Sequence, residues 1–246
     1  MARLLDDAIS MLDWGSGEAS ARPRPRADGA AEAGGLRFAI RRLDAFLQRI
    51  EGIREYSSDA LCVFRIALRR AGESGSATRA GLSLRPDDVI LDLHLWNEHV
   101  PQVSPCGPDF SWAKRFRRRT FRSLGELAAR LSSDPDLRGV KAIRIRSALA
   151  GAEDRDKMAR VFAIIGFRRA PAMPSPRLSS RLSCRLNSLW ASALLWTYNP
   201  HCPRRHVFSR TCDEFWISRA AFLERFGALA SGAPAITPPR RSGDSA

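Results

Sequence analysis

Val89-Ile90-Leu91-Asp92-Leu93-His94-Leu95-Trp96 decides how this chain is read, and Asn97-Glu98-His99 follows it directly. Side chains two apart share a face of an extended strand. Val89, Leu91, Leu93 and Leu95 therefore form one apolar face, fit only for a core. Asp92, His94 and Trp96 emerge on the other, with Asn97, Glu98 and His99 just past the strand end. An acid and an imidazole two apart can hydrogen-bond, which would fix the imidazole tautomer and raise its basicity. Asp92, His94 and Glu98 are accordingly the candidate catalytic residues, with His94 as general base oriented by Asp92. Trp96, Asn97 and His99 are candidate ligand contacts, the indole offering a stacking surface for a sugar or base. The bland alternative is a satisfied polar pair that links the sheet to a helix.

Elements of both periods lie around this strand. Phe38, Leu43, Phe46, Leu47 and Ile50 recur at helical spacing before Gly52, and Leu61 to Leu68 partly alternates. Trp112 to Leu131 reads as a long amphipathic helix and Val140 to Arg146 as a strand. Asp154 to Ile164 reads as a helix closed by Gly166, with a short strand from Phe167. Further on come a Trp-rich helix (185–198), a strand at Glu214–Ile217, and a helix from Arg219 to Phe226 capped by Ser218 and stopped by Gly227. The expected fold is α/β (or α+β), a small mixed sheet packed by amphipathic helices with a helical C-terminal extension. Residues 1–35 read as a disordered tail and linker, apart from a short helix at 2–13. Residues 36–170 read as the core, 171–227 as a helical part packed on it, and 228–246 as a disordered tail.

Composition narrows the class. The 246 residues carry 40 basic and 26 acidic side chains, for a net charge of +14. Only Lys114, Lys141 and Lys157 are lysines. An excess of cations favours polyanions, an acidic membrane surface or phosphorylated ligands, without choosing among them. Between Lys114 and Arg122 there are six cations and no acid. Arg115, Arg118, Arg119 and Arg122 line up on one helical stripe, opposite Phe116, Phe121, Leu124, Leu127, Ala128 and Leu131. Like charges at i,i+4 repel, so the stripe is a candidate anion or phosphate site. A solvated face is the plainer account.

Several classes find no support. Five irregularly spaced cysteines without a CxxC pair do not suggest a disulfide framework. His201, Cys202, His206 and Cys212 have no standard metal spacing, so no metal and no cofactor is expected. GxGxxG, Walker A, GxSxG and HExxH are all missing, as is any motif for sequence-specific nucleic-acid reading. No stretch reads as a signal peptide or a membrane span, so a cytoplasmic protein is expected, with peripheral contact at the inner membrane surface as a further option. The oligomeric state is not legible.

A family resemblance completes the reading. Gly52-Ile53-Arg54-Glu55-Tyr56, Cys62-Val63-Phe64-Arg65-Ile66, Asp88 to His99, Arg122-Ser123-Leu124 with Leu127-Ala128, and Gly166-Phe167 resemble, in that order, the YkoP-like family of bacterial proteins. Tyr198-Asn199-Pro200 and Phe215-Trp216-Ile217-Ser218-Arg219 resemble the C-terminal part of some members. The resemblance implies a domain sometimes fused to polysaccharide deacetylases, hence a setting in envelope or carbohydrate metabolism. It carries over no catalytic residue. The leading expectation is an accessory domain that binds an anionic or carbohydrate-like ligand near the end of the 89–96 strand. The rivals are an enzyme acting through His94 on a sugar or phosphorylated substrate, and a polyanion or membrane-surface binder using helix 112–131.

Overall fold

The computed structural model describes residues 27–74, 78–147, 155–170, 178–201 and 213–230. The expected helix at 2–13, residues 1–26 of the linker, the Cys202/His206/Cys212 group and the tail beyond 230 lie outside these residues.

In chain order the elements are α1 (Ala27–Ile50), β1 (Phe64–Arg70), β2 (Thr78–Arg79), β3 (Leu82–Ser83), β4 (Val89–Leu95), α2 (Phe110–Ser133), β5 (Val140–Ser147), α3 (Arg155–Ile164), β6 (Arg168–Arg169), α4 (Leu178–Tyr198), β7 (Asp213–Ser218) and α5 (Arg219–Ala230). Five strands form one mixed sheet in the order β1-β4-β5-β7-β6. β4 and β5 run parallel, joined by the crossover helix α2, whereas β1/β4, β5/β7 and β7/β6 are antiparallel. The fold is α/β, as the two periods in the sequence implied.

The apolar face of β4 points where expected. Leu91 and Leu93 join Ile66 of β1, Ile143 and Ile145 of β5, and Phe215 and Ile217 of β7 under a helical layer. That layer is α2, through Leu124, Leu127, Ala128 and Leu131, and α5, through Phe222 and Phe226. Burial of such a Leu or Phe contributes about 1.5–3 kcal/mol each. Asp109 caps α2, its Oδ1 accepting from the Trp112 amide at 2.6 Å. On the reverse face, Ile90, Ala142 and Trp216 pack with Ala71, Leu84 and Ala170 and with Ala80 and Leu82 near the β2/β3 ribbon.

Three boundaries differ from expectation. The helix that was to start near residue 36 begins at Ala27, inside the segment read as linker; its alanines favour helix despite the lack of bulky apolar groups. The boundary at 170 does not divide the structure: β7 inserts between β5 and β6, and α5 belongs to the main core. Edge-to-edge pairing between distant segments leaves no composition signal, so the Pro/Ser-rich break at 170–183 is not a domain limit, and its last residues, from Leu178, belong to α4. Gly227 does not stop α5, which runs to Ala230. Ser218 does cap it, accepting from the Ala221 amide at 3.1 Å.

The amphipathic face of α1 is turned the unexpected way. Phe38, Leu43, Phe46 and Ile50 are exposed, whereas Asp44 is buried. The helical side of the sheet is already covered by α2 and α5, so α1 packs against α4 through polar and cationic side chains. Arg37 lies over Trp196 at 5.0 Å and Arg41 over Tyr198 at 5.3 Å.

Gly166 closes α3 with φ +92°, a conformation side chains disfavour, and a Cβ there would meet Ile217 Cδ1 at 3.2 Å and Arg225 Cδ at 3.0 Å. Gly166→Ala should therefore destabilise the fold by about 1–3 kcal/mol in urea unfolding; an unchanged midpoint would show that this turn relaxes freely.

Candidate functional site

The reverse face of the sheet is where the polar residues of β4 emerge, and arginines surround them. Register places Arg65 of β1 opposite His94, Ala67 opposite Asp92, and Arg144 of β5 beside Asp92. Asp92 is 2% exposed and Arg144 5%. Arg144 Nε donates to Asp92 Oδ1 and Nη2 to Oδ2, both at 2.6 Å, a bidentate pair. Arg146 Nη2 adds a longer bond to Oδ2 at 3.4 Å, and Arg144 Nη1 reaches Glu214 at 3.4 Å.

Asp92 thus spends its carboxylate on arginines. It makes no hydrogen bond to His94, so the expected oriented-base arrangement is not the one formed. A guanidinium matches both carboxylate oxygens at once, which one imidazole N–H cannot do. His94 keeps a buried Nε2 with no hydrogen-bond partner. Burial pushes its pKa down to about 4; Asp92 opposes that, while Arg146, Arg69 and Arg144 reinforce it. At neutral pH the imidazole is uncharged.

Trp96, Glu98 and His99 gather in a neighbouring knot. The Trp96 ring stacks on His99 at 3.7 Å and lies under the Arg65 guanidinium at 4.1 Å. Trp96 Nε1 donates to Glu98 Oε2 at 2.9 Å, and Tyr198 Oη donates to Glu98 Oε1 at 3.1 Å. His99 Nδ1 donates to the Cys62 carbonyl at 2.8 Å. Burial works to raise the Glu98 carboxyl, but the Trp96 and Tyr198 hydrogen bonds and the Arg65 charge outweigh it and hold the pKa below the usual range. Asn97 opens the short turn Asn97–His99. The Trp96 indole is buried between protein groups, so it is a structural element of the site and not a platform for a sugar.

Asp44 of α1 belongs to the same knot. Burial raises its pKa to about 6, with the Arg65 charge lowering it and Glu98 raising it. Gln48 Nε2 donates to Asp44 Oδ2 at 2.8 Å, and Gln48 Oε1 accepts from Arg65 Nη1 at 2.5 Å.

The arginine stripe of α2 divides in two. Arg119 donates to the His99 carbonyl at 2.6 Å. Arg122 pairs with Asp59 at 2.6 Å and with Glu126 at 3.4 Å. Both therefore have protein partners, although Arg122 is exposed, as are Arg115 and Arg118 on the helix surface. Arg65, Arg69, Arg144 and Arg146 are the site residues that sequence reading passed over. For Arg144 and Arg146 the signal was present in Ile143-Arg144-Ile145-Arg146, which alternates at the strand period.

Residues 35–154 match the family model of the YkoP domain. This span of the chain is YkoP-like. The matched span takes in most of α1, β1 to β5 and α2, and with them Asp92, His94, Arg144, Arg146 and the knot around Trp96 apart from Tyr198. β7 and α5, which complete the sheet and its helical cover, lie beyond the end of the YkoP match. No curated protein and no solved structure matches the chain.

Two predictions follow from these bonds. Asp92→Ala leaves Arg144 charged and buried without its bidentate partner, and should cost about 3–5 kcal/mol in urea unfolding, whereas Asp92→Leu with Arg144→Met should cost clearly less. Equal losses in the two proteins would refute the account.

His94 and Asp44 set opposite pH trends. A histidine with depressed pKa loses folded-state stability as pH falls from 6.5 through about 4, because the unfolded chain takes the proton first. An aspartate with raised pKa gains stability as pH falls from about 6 toward 3.8. In the native chain the two largely cancel. Asp44→Asn should then lose stability between about pH 6.5 and 4.5, and His94→Asn should gain it, each by on the order of 1–3 kcal/mol. Urea midpoints at both pH values measure this; parallel slopes in the two variants would contradict it.

Proposed function

We propose that this protein binds an anionic, carbohydrate-like ligand at the carboxyl ends of β4 and β5. These are the two parallel neighbours in the sheet, and ligands of open α/β sheets collect outside the carboxyl ends of such strands. The last residues paired between them are Leu93 and Ile145, so His94 and Arg146 stand where the strands part. One observation carries the reading. A buried His94 Nε2 without a hydrogen-bond partner, set among Arg69, Arg144 and Arg146, is costly unless a ligand oxygen engages it. Arg146 has a side chain 48% exposed and can reach such a ligand from the solvent side.

Binding fits this geometry better than base catalysis. An imidazole with a pKa near 4 is a weak base at neutral pH, and its carboxylate neighbour is held by arginine. The setting implied by the YkoP-like resemblance, bacterial envelope or polysaccharide metabolism, points to a uronate-bearing or phosphorylated glycan and to an accessory role. Arg115 and Arg118 of α2 favour a second reading, in which that exposed pair holds the polyanion.

Titration calorimetry of the full chain with inorganic phosphate and with glucuronate tests this. Wild type should bind at least one of them saturably. His94→Ala and Arg146→Ala should each weaken binding by about tenfold or more, and Arg115→Glu with Arg118→Glu should leave it unchanged. Absence of binding to both probes overturns the proposal. Binding kept in Arg146→Ala and lost in the α2 double variant assigns the ligand to the basic helix instead.

A further inference from the structure

Among the described residues, five of the eight exposed large apolar side chains lie on α1. Leu36 is 56% exposed, Phe38 65%, Leu43 46%, Phe46 59% and Ile50 66%. Leu36, Leu43, Phe46 and Ile50 fall on one stripe, and Phe38 lies across the same outward arc at 100° per residue. Soluble monomers seldom leave so many large apolar side chains side by side in water.

Charge on this face has one sign. Arg42 and Arg49 are exposed and fall within the arc, between Phe38 and Phe46. Arg41 is exposed at its margin. From Leu36 to Ile50 the single carboxylate is Asp44, which is buried on the opposite side among Gln48, Arg65 and Glu98. The inward face is meanwhile held by Arg37 over Trp196 and Arg41 over Tyr198. The helix is therefore fixed to the body by its polar side and presents apolar side chains outward, interleaved with arginines.

We propose that α1 seats this protein on an anionic membrane surface. Long aliphatic and phenyl side chains enter the headgroup boundary while guanidiniums beside them snorkel to lipid phosphates. A narrow stripe would suit a partner helix, but arginines inside the arc would be buried unpaired against an apolar partner, and lipid phosphates satisfy them. The helix lies on the surface and does not cross it: among the described residues no helix is long and apolar enough to span a membrane. The side chains of this surface are not those of the His94 site, so variants of each test the two proposals separately.

Flotation of the full chain with vesicles of phosphatidylcholine alone, or with added phosphatidylserine, tests the assignment. Wild type should float with the anionic vesicles, less so at high salt. Leu43→Asp with Phe46→Asp should abolish flotation without changing the circular dichroism spectrum, since both side chains are exposed. Arg42→Glu with Arg49→Glu should reduce binding by roughly 25-fold or more, at about fivefold per cation lost. His94→Ala should float as wild type does. No flotation of wild type overturns the proposal, as does flotation unaltered in Leu43→Asp/Phe46→Asp. A concentration-dependent dimer that this variant disperses, seen by sedimentation without vesicle binding, would give the face to a second copy of the chain.

Discussion

Asp92 and Arg144 face each other across adjacent parallel strands, both nearly sealed from water, on the side of the sheet away from α2 and α5. Two charges taken out of water together survive only if their geometry is excellent and their remaining lone pairs and protons are used. Here two bonds of 2.6 Å join them, Arg146 and Glu214 take up further valences, and Trp216 lies 5.3 Å from the guanidinium. The pair fixes the β4/β5 register, because a one-residue slip would turn Asp92 into the leucine face. It also leaves His94 without a carboxylate partner. With the carboxylate bonded to Arg144, the imidazole next to it, kept neutral first of all by burial, is unsupported on Nε2.

A second constraint comes from the order of strands. β7 enters the sheet from the far end of the chain and separates β5 from β6, so residues 213–218 are as central as the 89–95 segment. Phe215 and Ile217 support the helical core, while Trp216 and Glu214 face the arginines on the other side. The site is therefore assembled from both the YkoP-matched span and the segment after it. Arg144 in particular is held by Asp92 from within that span and by Glu214 from beyond it.

Much of the architecture is legible in the sequence. The two faces of β4, the core face of α2, and the helix–Gly–Phe passage at 155–167 follow from periodicity and from one glycine at positive φ. The partners of the polar face were not legible, because they depend on which strands lie side by side. Asp92-x-His94 reads as a coupled pair from local spacing alone. It becomes an Asp–Arg pair only because β5 happens to bring Arg144 to the same level. The same limit hid Arg65, which reaches Trp96, Gln48, Glu55 and Glu98 from three different parts of the chain. In α1 periodicity located the helix but not its rotation: an apolar stripe says that something covers it, not that the covering group is the protein's own core.

That rotation has a local cause. Arg65 and Tyr198 leave a polar surface beside β1, where an apolar helix face would deprive Arg65 Nη1 of the Gln48 oxygen it donates to. α1 answers with Asp44 and Gln48, and raises the Asp44 pKa in doing so. Once those two residues are turned inward, helical geometry leaves Leu36, Leu43, Phe46 and Ile50 no place but the outside. The exposed apolar face is thus the geometric consequence of satisfying a buried arginine. One ion network, reaching from β1 to the end of α4, sets the interior of the knot and the character of the surface above it.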